Sequence, residues 1–125
     1  MRIIVCGSRE WTDRERIVAT LEHKRIHAPS LTVVHGDCSS GADAIAAQWC
    51  RQWRPYAPLS VTEEPHPADW NKHGKAAGPI RNQAMADTGA ELCLAFWTGE
   101  SRGTLDMITR AVKAGIPVRI VPPKK

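Results

Sequence analysis

Short apolar runs alternate with segments of helical periodicity along the whole chain. Five runs are rich in β-branched or large aliphatic residues: positions 3–6, 31–35, a weaker 59–62, 92–96 and 118–121. Unbroken apolar runs suit strands covered on both faces. Their alternation with helical patterns predicts βαβ units and a parallel sheet.

Four helices are predicted between them. The first opens at Thr12-Asp13-Arg14-Glu15, a capping-box spacing in which Thr12 and Glu15 each satisfy a free amide. It buries Ile17, Val18 and Leu21, and Pro29 ends it. The second carries Ala42, Ile45, Ala46, Trp49 and Trp53 on one stripe, with Pro55 and Pro58 closing it. The third starts at Gly78-Pro79 and stops at Gly89. The fourth spans Gly103 to Gly115, with Leu105, Ile108 and Val112 as its buried face and Pro117 beyond its end. Residues 63–75 fit no element and hold Pro65, His66, Pro67, Asp69, Trp70 and His73. Loops of that length in a compact domain are often functional.

At 125 residues the chain is one domain's worth. With 42% hydrophobic and 24% charged residues it has the composition of a globular protein, not of a disordered or membrane chain. No apolar run approaches the ~20 residues of a membrane span. Met1-Arg2-Ile3 runs straight into a strand pattern, so a cytoplasmic protein without a membrane partner is expected. Seventeen basic against 13 acidic residues leave +4, part of it from Lys124 and Lys125. That surplus permits an anionic partner, but the basic residues are spread along the sequence instead of clustered as in a nucleic-acid footprint.

Cys6, Cys38, Cys50 and Cys93 form no C-x-x-C pair and read as reduced thiols, Cys6 in the core. His23 and His27 are four apart without a carboxylate or third ligand, and read as a solvent-facing pair. His35 and Cys38 lack a partner pair. No metal or other cofactor is expected. Of five tryptophans, Trp49 and Trp53 fit packing, whereas Trp11, Trp70 and Trp97 fall in or beside loops, either to stack on a base or to cover the sheet edge.

Open parallel sheets bind ligands beyond the carboxyl ends of their strands, where loops enter helix amino termini. After the first strand, Gly7 permits a tight turn or a close ligand approach, Ser8 offers a hydroxyl and Arg9 a bidentate donor. After the second comes His35-Gly36-Asp37-Cys38-Ser39-Ser40-Gly41-Ala42-Asp43, a Gly/Ser-rich helix entry able to present amides to an anion but without P-loop spacing. Asp43 reads equally as an ordinary first-turn carboxylate and as a ligand for ribose hydroxyls. Arg81 falls in the first turn after Gly78-Pro79, where the helix dipole disfavours a cation and an adjacent anion would account for it; Asn82 follows. After the fourth strand Gly99, Ser101, Arg102, Gly103 and Thr104 make a second such entry. With strand order 3-2-1-4-5, strands one and four are neighbours at the switch point and their loops flank one crevice. Arg9, Arg81 and Arg102 are then expected to gather there.

Taken together, Gly7-Ser8-Arg9, His35-Gly36-Asp37 with Gly41-Ala42-Asp43, Ala77-Gly78-Pro79-Ile80-Arg81-Asn82 with Met85, and Ser101-Arg102-Gly103-Thr104 before Asp106 resemble the YspA-like branch of the SLOG superfamily. That superfamily also holds the Lonely-guy phosphoribohydrolases and the Rossmann-like domain of DprA. The resemblance covers nearly the whole chain and implies a single Rossmann-like α/β domain over 1–125: three layers, with a five-stranded, mainly parallel sheet in the order 3-2-1-4-5 and helices on both faces. It also implies a nucleotide-derived ligand and a homodimer or larger homo-oligomer. Arg81 would match the arginine that Lonely-guy enzymes place near the glycosidic bond, and Gly103-Thr104 their phosphate-binding Gly-Thr. Their catalytic glutamate, three positions after the threonine, is replaced here by Met107, with Asp106 one residue earlier. Methionine does no acid–base work.

The leading expectation is therefore a sensor or sequestering protein for a nucleoside phosphate, an ADP-ribose or NAD-derived molecule, or a cyclic nucleotide. Its ligand-binding set is Gly7, Ser8, Arg9, Gly36, Asp37, Ser39, Gly41, Asp43, Arg81, Asn82, Gly99, Ser101, Gly103 and Thr104. The alternative is a hydrolase of an N-glycosidic or phosphoester bond using Asp106, Asp43 or Asp37. A third reading, single-stranded nucleic-acid binding, draws on the positive charge and the loop tryptophans.

Overall fold

A computed structural model describes residues 1–53 and 61–123. The elements, in chain order, are β1 (Arg2–Gly7), α1 (Arg14–His27), β2 (Leu31–His35), α2 (Gly41–Trp53), β3 (Val61–Pro65), α3 (Trp70–His73), a 3-10 turn (Gly74–Ala76), α4 (Ala77–Ala86), β4 (Leu92–Phe96), α5 (Arg102–Lys113) and β5 (Val118–Val121). The sheet has the order β3-β2-β1-β4-β5, and every adjacent pair is parallel.

Alternation along the central strands builds two cores. Ile3 and Val5 of β1 face α1 and α2, meeting Ile17, Leu21, Ala46 and Trp49. Ile4 and Cys6 point the other way, to Met85 of α4 and to Met107 and Ala111 of α5. Side chains on a strand alternate between faces, so one apolar run serves both helical layers. The result is a three-layer α/β domain in which strands are added outward in one direction from β1 to β3 and in the other from β4 to β5, so the strand order reverses between β1 and β4.

Several local expectations are corrected. The α1 cap is Asp13, not Thr12: its carboxylate accepts the Arg16 amide at 3.2 Å, and the helix begins one residue later than a Thr12 cap requires. Residues 63–75 are largely structured. Glu63, Glu64 and Pro65 extend β3 and pair with Val33, Val34 and His35. β3 is an edge strand, where charged residues are tolerated and even protective, so its outer half lacks an apolar signature. Asp69 caps the short α3 through the Lys72 amide at 3.1 Å.

On α5 the buried residues are Thr104, Met107 and Ala111, while Leu105 is 48% and Val112 61% exposed. Small side chains at 104 and 111 let the helix seat closely, and the bulkier aliphatics lie about 100° round it. On the opposite layer, α2 buries Ala42, Ala46 and Trp49 as its stripe indicates. Trp49 and Trp53 both donate their indole N–H to Glu22 Oε1, at 3.0 and 2.9 Å. Positions 55, 58, 59, 60, 124 and 125, on which some expectations fall, lie outside the described residues. Among the described residues no helix is long and apolar enough to cross a membrane.

Candidate functional site

The carboxyl ends of β1 and β4 open into a cavity of about 460 Å³ between α4 and α5. Its walls bring together Gly7, Ser8, Arg9 and Asp43 from one side, and Arg81 and Asn82 from α4. Ser101, Gly103 and Thr104 close it at the amino end of α5. A second cavity of about 310 Å³ lies beside it, with Gly36, Asp37 and Ser39 on its wall and Arg9 and Arg81 shared with the first.

Close packing holds these loops. A Cβ on Gly7 would fall 2.5 Å from the Phe96 carbonyl oxygen and 2.6 Å from Ala42 Cβ, so β1 approaches both β4 and α2 through a glycine. Gly41 has φ +73 and its missing Cβ is replaced by the backbone of Ser8 and Arg9. That contact lets the Ala42 amide donate to the Ser8 carbonyl at 3.2 Å. Gly41 therefore shapes the site without lining either cavity. The amides expected to greet an anion at this entry are partly committed: Ala42 to Ser8, and Cys38 to Asp43 Oδ2 at 3.5 Å.

Arg81 is the fifth residue of α4, because the helix starts at Ala77 and not at Gly78-Pro79. A dipole-disfavoured first turn does not apply to it. Hydrogen bonds fix it instead: Nη1 donates to the Gly36 carbonyl, and Nε to Asn82 Oδ1 at 2.9 Å. Asn82 Nδ2 in turn donates to Asp106 Oδ2 at 2.9 Å and to the Gly103 carbonyl at 3.3 Å. Asp106 also accepts from Arg110 Nε at 2.9 Å. Arg81 Nη2 has no hydrogen-bond partner among the described residues, and Arg81 lines the first cavity. Arg9 has no ion pair among them either, and its guanidinium sits 5.8 Å from the centroid of the Trp70 ring. Arg102 is exposed at the start of α5 and lines neither cavity.

The amino end of α5 opens on the first cavity. Ser101 caps it, its Oγ accepting the Thr104 amide at 3.3 Å and the Thr104 hydroxyl at 2.9 Å. The amides of Arg102 and Gly103 lack intrahelical partners, as first-turn amides do. A Cβ at Gly103 would meet nothing within 4 Å, so a side chain there has open space. Gly99, at φ +97, shapes the preceding turn but lines neither cavity.

The three candidate acids are in different situations. Asp43 is buried at 7% exposure on the cavity wall, and burial raises its carboxyl above the usual range despite the Cys38 thiol hydrogen bond and the charge of Arg81. Burial also pushes Asp106 upward, but Arg110 and Asn82 outweigh it and hold the group below its ordinary value. Asp106 lies outside both cavities and ties α4 to α5. Asp37 is exposed on the second cavity in a left-handed backbone at φ 55.

Sequence reasoning missed Glu10 and Glu100 on the wall of the first cavity, and Cys6, Met85 and Met107, which supply its apolar lining. Met85 lies four residues beyond Arg81, and Met107 three beyond Thr104. That helical spacing was a usable signal. Of the loop tryptophans, Trp11 is buried edge-on against Phe96, Trp97 donates to the Ser101 carbonyl at 3.1 Å, and Trp70 is 49% exposed beside the second cavity. Among the described residues no group of three His, Cys, Asp or Glu is placed to hold a metal ion. His23 and His27 are exposed, their rings 4.5 Å apart.

Residues 1–73 match the model of the YAcAr family, described as the YspA, cpYpsA-related SLOG family. The chain belongs to that family. The matched YAcAr segment contains the first two loops and reaches α3, and the α4 and α5 loops complete the same cleft. The chain is also similar to the gene 61 protein of Mycobacterium phage D29, with 45% identity over 118 residues covering 94% of this chain and 93% of that protein. Family membership supports a nucleotide-related ligand in general terms.

Proposed function

We propose that the cleft binds a nucleotide or nucleotide-derived molecule and that the protein acts as its sensor or sequestering partner. One observation carries the reading: a guanidinium pinned by Gly36 and Asn82, with Nη2 unpartnered, shares a 460 Å³ cavity with the open amino end of α5. Charge-assisted bonds from a fixed arginine and helix amides are the usual means of holding a phosphoryl group. The position at the reversal between β1 and β4 supports it, since open α/β sheets place ligands there. In this reading Ser8, Arg9, Arg81, Gly103 and Thr104 contact the ligand, and Asn82 and Asp106 position Arg81.

The test is mass spectrometry of any small molecule released on denaturing the purified protein, followed by titration calorimetry. Binding to at least one nucleoside phosphate, NAD, ADP-ribose or cyclic nucleotide is expected, with the affinity lost in Arg81→Met. Absence of binding across all four classes overturns the reading.

A hydrolytic reading has Asp43 in its favour, a buried acid held toward its protonated form on the same wall as Arg81. Such a group suits proton donation to a leaving group. Chromatography of nucleotides after incubation tests it: turnover that Asp43→Asn removes supports it, and unchanged nucleotides reject it.

A further inference from the structure

The two cavities meet at a waist. Arg9, Arg81 and Cys38 line both, so the positive charge stands at the junction. Each cavity by itself reaches the ~300–1,000 Å³ typical of a small-molecule site. Their far ends differ in chemistry. The first has an apolar floor of Cys6, Met85 and Met107 and ends at the α5 amides. The second sets Asp37, Ser39 and Ser40, which can bond sugar hydroxyls, against Pro67, Ala68 and the exposed Trp70. Flat apolar walls of that kind stack on sugar or base faces.

We propose that the ligand is two-lobed: a nucleoside diphosphate carrying a second sugar or nucleoside. Its diphosphate lies at the Arg9–Arg81 waist, and its second lobe sits between Asp37 and Trp70. This rests on the nucleotide reading above and narrows it. Two guanidiniums without ion pairs match two phosphoryl groups, and a mononucleotide would leave the second cavity and its polar wall unused. Asp37 supplies an independent sign. It is a non-glycine residue at φ 55, its backbone N–H donating a hydrogen bond to His35 Nδ1 at 2.9 Å, and it lines the second cavity. Backbone conformations this sparsely populated persist where the surroundings enforce them, and they cluster at ligand clamps.

The experiment is calorimetry of the full chain against the mono- and diphosphates of the four ribonucleosides, with ADP-ribose and UDP-glucose as two-lobed counterparts. For one base, the diphosphate is expected to bind about tenfold tighter than the monophosphate, the yield of one charge-assisted hydrogen bond. The two-lobed counterpart is expected to gain about tenfold more. Trp70→Ala, which also removes the ring beside the Arg9 guanidinium, is expected to cost the two-lobed compound more than the diphosphate. Ser39→Trp, placed on the wall of the second cavity alone, is expected to lower the affinity of the two-lobed compound more than that of the diphosphate.

A two-lobed compound binding no tighter than its diphosphate overturns the proposal and leaves nucleotide binding standing. Equal losses for the diphosphate and the two-lobed compound in Trp70→Ala overturn it too, since Trp70 would then act only through Arg9 and the cleft as a whole. Failure of every nucleotide to bind removes the nucleotide reading itself and this proposal with it.

Discussion

The Asp37 amide donates to His35 Nδ1 at 2.9 Å, while Nε2 of the same fully buried ring stands 2.8 Å from Glu63 Oε2. A backbone N–H requires an acceptor, so Nδ1 carries no proton and Nε2–H donates to Glu63. One imidazole thus ties the edge strand β3 to the turn that aims Asp37 at the second cavity. His35→Phe keeps the volume roughly but strands the Asp37 amide, at a cost of about 1–3 kcal/mol. Urea unfolding is expected to show that loss. Long-range ¹⁵N–¹H correlation of the wild type is expected to show the Nε2–H tautomer, and a protonated Nδ1 would contradict the arrangement.

Two glycines distinguish a folding requirement from a binding one. At Gly103 an added Cβ meets nothing, and alanine is the better helix former. Gly103→Ala is expected to stabilise the fold by up to about 1 kcal/mol while weakening a phosphorylated ligand, because it adds a methyl to a residue that lines the first cavity. At Gly36 the added Cβ falls on the Arg81 guanidinium and 2.9 Å from Asp43 Oδ2. Gly36→Ala must displace Arg81, losing its bond to the Gly36 carbonyl and with it about 1.5–3 kcal/mol from stability, binding or both. Thermal melts paired with calorimetry separate these outcomes. Equal binding by Gly103→Ala and wild type would remove the α5 amides from the site.

The inner strands were legible because a parallel sheet covered on both faces writes itself as apolar runs, and 31–35 and 92–96 match β2 and β4; 118–121 matches β5 although Arg119 and Ile120 of that edge strand are exposed. Where burial is one-sided the signal fades. Glu63 and Glu64 extend β3 at an edge where Glu64 instead pairs with Arg2 at 2.8 Å. On α5, hydropathy ranks Leu105 and Val112 above Thr104 and Ala111, yet close seating on the sheet selects the smaller pair. The loops of the site were legible through their glycines and arginines. The reason for Arg81 was not, because it lies in contacts to Gly36 and Asn82 that no sequence spacing encodes. Asp106 reads as a displaced catalytic acid until its partners Asn82 and Arg110 are seen.

Glu22 makes the opposite layer sensitive to acid. Burial opposes its charge, but the Arg25 fork and the indoles of Trp49 and Trp53 outweigh it, so its folded pKa lies below the ordinary value. A carboxylate depressed on folding contributes stability above its unfolded pKa, about 4.3 for glutamate, and loses it as pH falls through the folded value. Glu22→Gln removes the charge, at a cost of about 1 kcal/mol near neutral pH. Denaturant unfolding across pH is expected to show the wild-type and variant curves converging below about pH 4. A difference that persists undiminished in acid would show that packing, and not the charge, accounts for it.

Cys38 offers a reporter for the cleft, since it lines both cavities while Cys6, Cys50 and Cys93 are buried. Burial first, and then the charge and hydrogen bond of Asp43, raise its thiol above the usual range, with Arg81 and Arg9 pulling weakly the other way. Thiolate is the reactive form, so iodoacetamide is expected to modify Cys38 more slowly than a free thiol at pH 8, and faster as pH rises. Asp43→Asn removes the opposing charge and is expected to speed the reaction. A ligand seated at the Arg9–Arg81 waist covers the thiol, and nucleotides that bind are expected to slow alkylation in proportion to occupancy. Peptide mapping by mass spectrometry identifies the modified residue. Unchanged alkylation at saturating nucleotide would place the ligand away from the waist.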